Sequence, residues 1–333
     1  MLPLSVLDLS FVTSGSTPTD ALRATLDLAR HVDELDYRRF WVAEHHNLPS
    51  VASGAPEIMI SQIAAVTRRI RVGSGGVMLP NHAPLMVAER FKLLEALYPG
   101  RIDLGLGRAP GTDQVTSYAL RRLQEDRGRD DFLERLQELM MLETRAFPEG
   151  HPFRRIEVMP SGVPLPPIYL LGSSDYSAHL SARLGMGFAF AHHFAGHDAV
   201  DSMISYRRGF QPSQWGEGIP HAILATAVIS AETDEEAERL ASGADLNVVK
   251  RTRGEFGPIP SPEEATAYPW TESERELARR NRSRLFVGSP ATIREKLRPL
   301  IDATEPDELM ITSAIHDQAA RRRSYELLVG LFD

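Results

Sequence analysis

Two rhythms of apolar and polar positions run along the chain. Short apolar runs recur at Leu4 to Leu9, Phe40 to Ala43, Ile70 to Gly76, Arg101 to Gly107, Pro167 to Leu171, Phe188 to Ala191, His221 to Ile229 and Glu308 to Ser313. Each has strand length, and their near-continuous hydrophobicity suits parallel strands covered on both faces. Between them, apolar residues return at helical spacing. Leu22, Leu26, Ala29 and Val32 form one such stripe, preceded by Thr17 as a cap, Pro18 in the first turn and Asp20 near the positive helix end. Ile58, Met59, Ile63 and Val66 form a second after Pro56, and Val87, Ala88, Phe91, Leu94 and Leu97 a third after Pro84. Further helices are predicted within residues 129–144 and over Tyr176 to Leu184.

Strand and helix units in this order predict a mainly parallel sheet with right-handed crossovers. Eight strands favour a closed, TIM-like (β/α)8 barrel of one domain, residues 1–333, over an open sheet that ends at MPSGVPLPP, 159–167, because the alternation resumes beyond those prolines. One segment breaks the rhythm. Residues 250–284, KRTRGEFGPIPSPEEATAYPWTESERELARRNRSR, form a long insertion between the seventh and eighth strands, with a short helix predicted from Ser273. A mobile cover over the strand ends and a solvated outer excursion both fit its prolines, glycines and dense charge.

Composition narrows the partners. Forty-five acids against 37 Lys and Arg give a formal charge of -8, which argues against nucleic acid. The absence of cysteine excludes disulfides and thiolate catalysis. The N-terminal MLPLSVLDLSFVTSG has no basic leader, and no apolar run approaches the roughly 18 residues of a spanning helix. A cytoplasmic protein without a membrane partner is the expectation.

Candidate chemistry gathers at strand ends. WVAEHHNLP, 41–49, places Glu44, His45 and His46 at the C-terminal mouth of the second strand. His45 is the candidate proton donor or acceptor, since imidazole titrates near neutrality; a buried structural histidine would look the same. GLGRAPG, 105–111, departs from the dinucleotide spacing and carries Pro110 where a crossover helix would begin, which leaves Arg108 as an anion-binding candidate or a partner for a nearby acid. In LLGSSDYSAHL, 170–180, Gly172, Ser173 and Ser174 lead from a strand into a helix. That arrangement offers backbone N–H groups and a positive helix end to phosphate, or simply a serine cap. His45 and His46 with Glu44, then His82, then His192, His193 and His197 invite a metal, but adjacent strand residues face opposite ways and no HExxH spacing occurs. No metal is expected. The lack of a GxSxG elbow leaves a serine hydrolase without an anchor.

Together, WVAEHHNLP, RIRVGSGGVMLPNHAPLMVAERFKLLEALYPGRIDLGLGRAPGTD, IYLLGSS and FAFAHHF make the chain resemble the bacterial luciferase-like flavin monooxygenases over nearly its whole length. The resemblance is strongest to a single-chain group marked by EHHN, GSGGVMLP and GLGRAPG. It implies a TIM-like barrel that takes reduced FMN from a separate NAD(P)H-flavin reductase and uses O2 to oxygenate a small organic substrate through a C4a-(hydro)peroxyflavin. It implies further that His45 is the active-site histidine and that Gly75 and Gly76, a pair often joined by a cis peptide, lie beside the flavin ring. Arg108 would hold the phosphate with the Gly172, Ser173 and Ser174 loop and with Ser177 one turn onward. Glu44, His46, His82 and His192 would border substrate or flavin.

The family's mobile loop corresponds to residues 250–284, and its members usually dimerise through early helices. Luciferases carry an acid where Ser173 stands and an aromatic where His192 stands, so light emission from a fatty aldehyde is not implied. A deazaflavin- or flavin-dependent hydride transfer without oxygen insertion, and a flavin-binding protein without turnover, are the rival readings.

Overall fold

The computed structural model describes residues 2–109, 111–121, 130–194 and 199–332. Its strands are β1 (Leu4–Asp8), β2 (Arg39–Val42), β3 (Arg71–Ser74), β4 (Val77–Met78), β5 (Ile102–Gly107), β6 (Ile168–Gly172), β7 (Gly187–Ala191), β8 (Ala222–Ser230), β9 (Leu285–Gly288) and β10 (Glu308–Thr312). Parallel pairing runs β10-β1-β2-β3-β5-β6-β7-β8, and β8 pairs β10 to close an eight-stranded barrel. All eight expected strands are barrel strands. Two short ones were not anticipated: β4 beside the upper end of β5, and β9 beside the upper end of β8.

The helices are α1 (Pro18–Glu34), α2 (Pro56–Val66), α3 (Pro84–Leu97), α4 (Gln114–Arg121), α5 (Phe132–Thr144), α6 (Asp175–Leu184), α7 (Ala199–Gly209), α8 (Asp234–Thr252), α9 (Pro262–Ala267), α10 (Glu272–Asn281), α11 (Pro290–Thr304) and α12 (Gln318–Glu326). The start of α1 is a capping box, in which Thr17 and Asp20 satisfy each other's backbone N–H groups. Leu28, Ala29 and Val32 are buried on its inner face. In α3, Val87, Phe91 and Leu94 belong to the buried core.

Each strand buries both faces, which explains the unbroken apolar runs. Outward residues such as Val6, Phe40, Val72, Leu104, Phe188 and Ile311 pack on the helices. Inward residues Leu7, Trp41, Ala43, Tyr169, Ala189, Ile223, Ala225 and Met310 make a separate cluster, with Trp41 edge-on to Tyr169 at 5.1 Å between ring centroids.

Below that cluster, the barrel floor is ionic. Arg39 is fully buried and donates to Asp103 Oδ2 at 2.8 Å and to Glu308 Oε2 at 2.9 Å. Arg71 also pairs with Asp103, the Trp41 indole donates to Asp103 at 3.1 Å, and Ser5 and His221 reach Glu308. Burial alone would raise the carboxyl pKa of Asp103 and Glu308, but Arg39 and its neighbours hold both below the ordinary values.

At the opposite end, β8 continues past the wall. Ile223 to Ala227 pair with β10, whereas Ala227 to Ser230 pair with β9. With α8, this upper sheet encloses a second core of Ile229, Ala237, Leu240, Ala241, Val287 and Ile315. The 250–284 segment is mostly helical: the end of α8, then α9 and α10, the last two each opened by a capping box, Ser261 with Glu264 and Thr271 with Glu274. Its turn at Ile259 pairs with the loop after β1, accepting from Ser14 N–H at 2.9 Å and donating to Val12 at 2.8 Å. The turn at Ile259 therefore lies against the loop at the C-terminal end of β1.

Candidate active site

The second strand delivers its histidines to the mouth by parity. Arg39, Trp41 and Ala43 point into the barrel, and His45 is the next position on that side. The backbone N–H of His45 is held by the Ser53 carbonyl at 3.1 Å, while its Nδ1 is buried without a hydrogen-bond partner among the described residues. Burial pushes the His45 pKa down to about 4, and the positive charge of Arg251 adds to the shift. The imidazole is thus neutral at pH 7, with Nδ1 buried and unpartnered among the described residues.

Glu44 faces the other way and is fully buried. It accepts from Met78 N–H at 2.8 Å and binds His46 Nε2 at 2.8 Å and His82 Nε2 at 2.9 Å. Burial would raise its pKa, yet the bonds from His82, His46 and Met78 leave it lowered. These three expected site residues form one tie between the ends of β2 and β4, and the tie fixes the backbone from which His45 projects.

Gly75 and Gly76 lie between β3 and β4, and the peptide joining them is cis. A Cβ at Gly75 would stand 2.5 Å from Leu7 Cδ1 and 3.1 Å from Trp41 Cβ, and one at Gly76 2.8 Å from the Gly105 carbonyl oxygen. Only glycine fits this close approach. The pair forms a smooth patch of barrel wall just above Trp41.

A second cluster stands at the ends of β5 and β6. Arg108 is partly exposed, its guanidinium 4.6 Å from the centroid of the Tyr176 ring in the first turn of α6. Ser174 is the N-cap of α6, and its hydroxyl makes no capping bond. Asp175 is occupied by Ser202, whose hydroxyl donates at 2.6 Å. Ser173 lies between Gly172, the last residue of β6, and this cap. Ser177 is buried, and its hydroxyl turns back to the Leu171 carbonyl at 3.3 Å, behind the loop. Arg108 also pairs with Asp130 at 3.4 Å, so it is shared between that acid and the cradle, while the Ser173 and Ser174 hydroxyls and the α6 N-terminus are open to an anion.

His192 and His193 separate as adjacent residues should. His192 is buried, stacked on Phe286 of β9 at 5.7 Å, with Nδ1 unpartnered among the described residues. Burial, reinforced by Arg284, lowers its pKa. His193 continues the inward parity of Gly187, Ala189 and Ala191; its Nδ1 meets the Ala225 carbonyl at 3.2 Å. Burial holds its pKa at about 4, with His192 and His45 among the charges that oppose protonation. The sequence reading took His192 as a neighbour of substrate or flavin; the structure puts His193 on the inward side of the same strand and buries His192 against Phe286. His197 lies outside the described residues, and among those described no group of three His, Asp or Glu side chains is placed to hold a metal.

This barrel mouth has recognisable relatives. The luciferase-like monooxygenase family matches residues 2–304. The chain belongs to that family. A luciferase-like monooxygenase of Escherichia coli K12 is 41% identical over 99% of this chain and 97% of its own length. The N-acetyl-S-alkylcysteine monooxygenase of Bacillus subtilis is 37% identical over 98% and 97%. The crystal structure of apo-MsnO8 covers 100% of this chain and 98% of its own, at 39% identity and a TM-score of 0.89. As a luciferase-like monooxygenase, the protein is an enzyme on a TIM-type barrel, and His45 and Arg108 lie beyond the C-terminal ends of β2 and β5, the face on which barrels of this kind carry their active sites.

Proposed function

We infer that the enzyme is an FMN-dependent monooxygenase. On this reading one atom of O2 enters a small organic substrate and the other leaves as water, the two electrons coming from reduced FMN supplied by a separate NAD(P)H-flavin reductase. The observation that carries it is the set of groups at the strand ends: a glycine-smoothed apolar wall at Gly75 and Gly76, the unpartnered ring nitrogen of His45 after β2, and a helix-end cradle at Arg108, Ser173 and Ser174. A flat heterocycle with an anionic tail fits that polarity. A partner fed by NAD(P)H suits a cytoplasmic enzyme; among the described residues no helix is long and apolar enough to cross a membrane.

Bound FMN supplies the electrons that activate O2 at ring carbon C4a. The chain's residues do the rest. Leu7, Leu9, Trp41 and Leu171 keep water from the reacting face. His45, neutral at working pH, takes or returns a proton at its unpartnered Nδ1. Glu44, held by His46 and His82, positions the histidine backbone, and the 250–284 segment serves as the lid. The N-acetyl-S-alkylcysteine that names one relative heads the substrate panel.

Spectroscopic titration with oxidised and reduced FMN and with a deazaflavin tests the cofactor. FMN is expected to bind, and Arg108→Ala to weaken it by about 1.5–3 kcal/mol, the worth of a hydrogen bond to a charged group. Riboflavin, which lacks the phosphate, should not register the substitution. Equal losses for both ligands would remove Arg108 from the cradle, and a preference for the deazaflavin would replace oxygen insertion with hydride transfer.

The reading extends to a homodimer. Ile58 on α2 and Met86, Leu93 and Leu97 on α3 are between 48% and 64% exposed, and the last three share one helix face. Leu93→Glu is expected to halve the mass seen by light scattering while leaving the circular dichroism spectrum unchanged. A wild-type protein already monomeric at micromolar concentration would dismiss the dimer.

A further inference from the structure

Around the barrel, helices that follow neighbouring strands pack on one another: α3 lies against α5, and α6 against α7. Between α5 and α6 a groove of about 480 Å³ remains. Its two walls are regular helix faces. Leu133, Leu136 and Met140 recur along α5, and Tyr176, Leu180 and Leu184 along α6, each set at the three- or four-residue spacing of one side. Leu136 and Leu180 are buried and make the floor, whereas Leu133 is 38% and Tyr176 40% exposed at the lips. Apolar lips of this kind mark a place where something docks.

The polar part of the lining is one-sided in charge. His179 and Arg183 stand one turn apart on α6 and Gln137 on α5, and among the described residues no acid lines the groove. Arg183 has no hydrogen bond or ion pair among the described residues. His179 donates from Nδ1 to the Asp175 carbonyl of its own helix at 2.8 Å. Both helices begin at the C-terminal strand ends, so Leu133 and Tyr176 mark the upper end of the groove and Met140, Arg183 and Leu184 the lower. From Tyr176 to Arg183 is about two turns of helix, roughly 10 Å.

An apolar trough of that length with an unpaired cation at its lower end describes a slender ligand, uncharged along its body and anionic at its tip. The volume suits one small molecule; a partner helix, about 10 Å across with its side chains, needs more room. We propose that the groove between α5 and α6 binds a medium-chain carboxylic acid, its hydrocarbon chain along Leu136 and Leu180 and its carboxylate on Arg183. A planar guanidinium receives a carboxylate through two parallel hydrogen bonds. The site lies on the outside of the barrel and does not depend on the flavin reading. Tyr176 borders both this groove and the Arg108 cradle, its ring centroid 4.6 Å from the Arg108 guanidinium, so the test must tell the two arginines apart.

The probes are octanoate and octanamide, which share a chain and differ in charge, titrated by calorimetry into the full-length protein free of flavin. The wild type is expected to bind octanoate at least about tenfold more tightly than octanamide, the scale of a charge-assisted pair. Arg183→Gln should abolish that preference and leave the octanamide affinity unchanged, whereas Arg108→Ala should preserve it. Met140→Trp, which fills the lower groove, and Leu133→Glu, which charges the upper lip, should each lose both probes with an unchanged circular dichroism spectrum; if one of them folds poorly, the other still decides. Equal affinity for acid and amide in the wild type overturns the proposal. So does binding that survives in folded Met140→Trp or Leu133→Glu, or a preference lost in Arg108→Ala and kept in Arg183→Gln. Binding of neither probe to the wild type overturns it as well, and a mass that falls in Leu133→Glu under light scattering would then hand the groove to a second copy of the chain.

Discussion

His45→Ala lowers turnover by about 10²–10⁴-fold, the usual contribution of a positioned acid–base group, and leaves FMN affinity essentially intact. The phosphate end of the mouth lies on β5, β6 and α6, away from the residue removed. Stopped-flow traces at the flavin bands, run with preloaded reduced FMN, report the two effects separately. Identical traces for variant and wild type would strip His45 of its role.

The pH profile carries a sharper signature. With a folded pKa of about 4 against an ordinary 6.5, the imidazole stays neutral across the working range, so the acid limb of kcat/KM is expected near pH 4. A limb at 6.5 would mean a solvated histidine. The sign for stability follows from the same depression. Between about 4 and 6.5 the unfolded chain binds more protons at this site than the folded one, so folding strengthens as pH rises through that window and weakens as it falls. His45→Ala removes its share of that slope; His193, also held at about 4, keeps its own.

Arg39→Met costs about 3–5 kcal/mol of stability, the range found when one partner is taken from a buried ion pair. Methionine fills much of the space, but Asp103 and Glu308, both fully buried, lose the cation that bridges them. Arg71 still serves Asp103 and His221 still serves Glu308, which keeps the loss within that range. At roughly 2–4 °C per kcal/mol for a large domain, the thermal midpoint drops by about 6–20 °C. Differential scanning calorimetry checks this, and an unchanged midpoint would show that the floor is held by packing instead. The catalytic mouth lies at the other end of the barrel, so residual activity at low temperature should survive.

Much of this architecture is written plainly in the chain. The eight wall strands are legible because both of their faces are buried, which forces continuous apolar runs such as Phe40 to Ala43. Thr17 and Asp20 announce α1 just as clearly. SPEE and TESE, at 261–264 and 271–274, carry the same capping signal for α9 and α10; the helix expected from Ser273 is α10, whereas α9 is masked by the prolines and charge around it. Four-residue β9 has no such marker, since LFVG pairs only because β8 overruns the wall.

At the site, the position of His45 follows from strand parity, and the same parity, applied to FAFAHHF, puts His193 rather than His192 on the inward side. The Glu44 tie does not follow, because it depends on Met78 and His82 returning to β2 after a turn whose path the sequence leaves open. A basic residue opening a strand, as Arg39 does, looks solvent-facing until its neighbours on β5 and β10 are known.

The length of β8 has one more consequence. Because nine residues run without a break from the wall into the sheet shared with β9, no seam separates scaffold from canopy. Trimming the canopy back to the wall would strip Ala227 to Ser230 of their neighbours and open a raw edge beside the catalytic chamber. Insertions in this chain are therefore expected to be tolerated better in the outer helices α9 and α10, hung between α8 and β9, than in the spar beneath them.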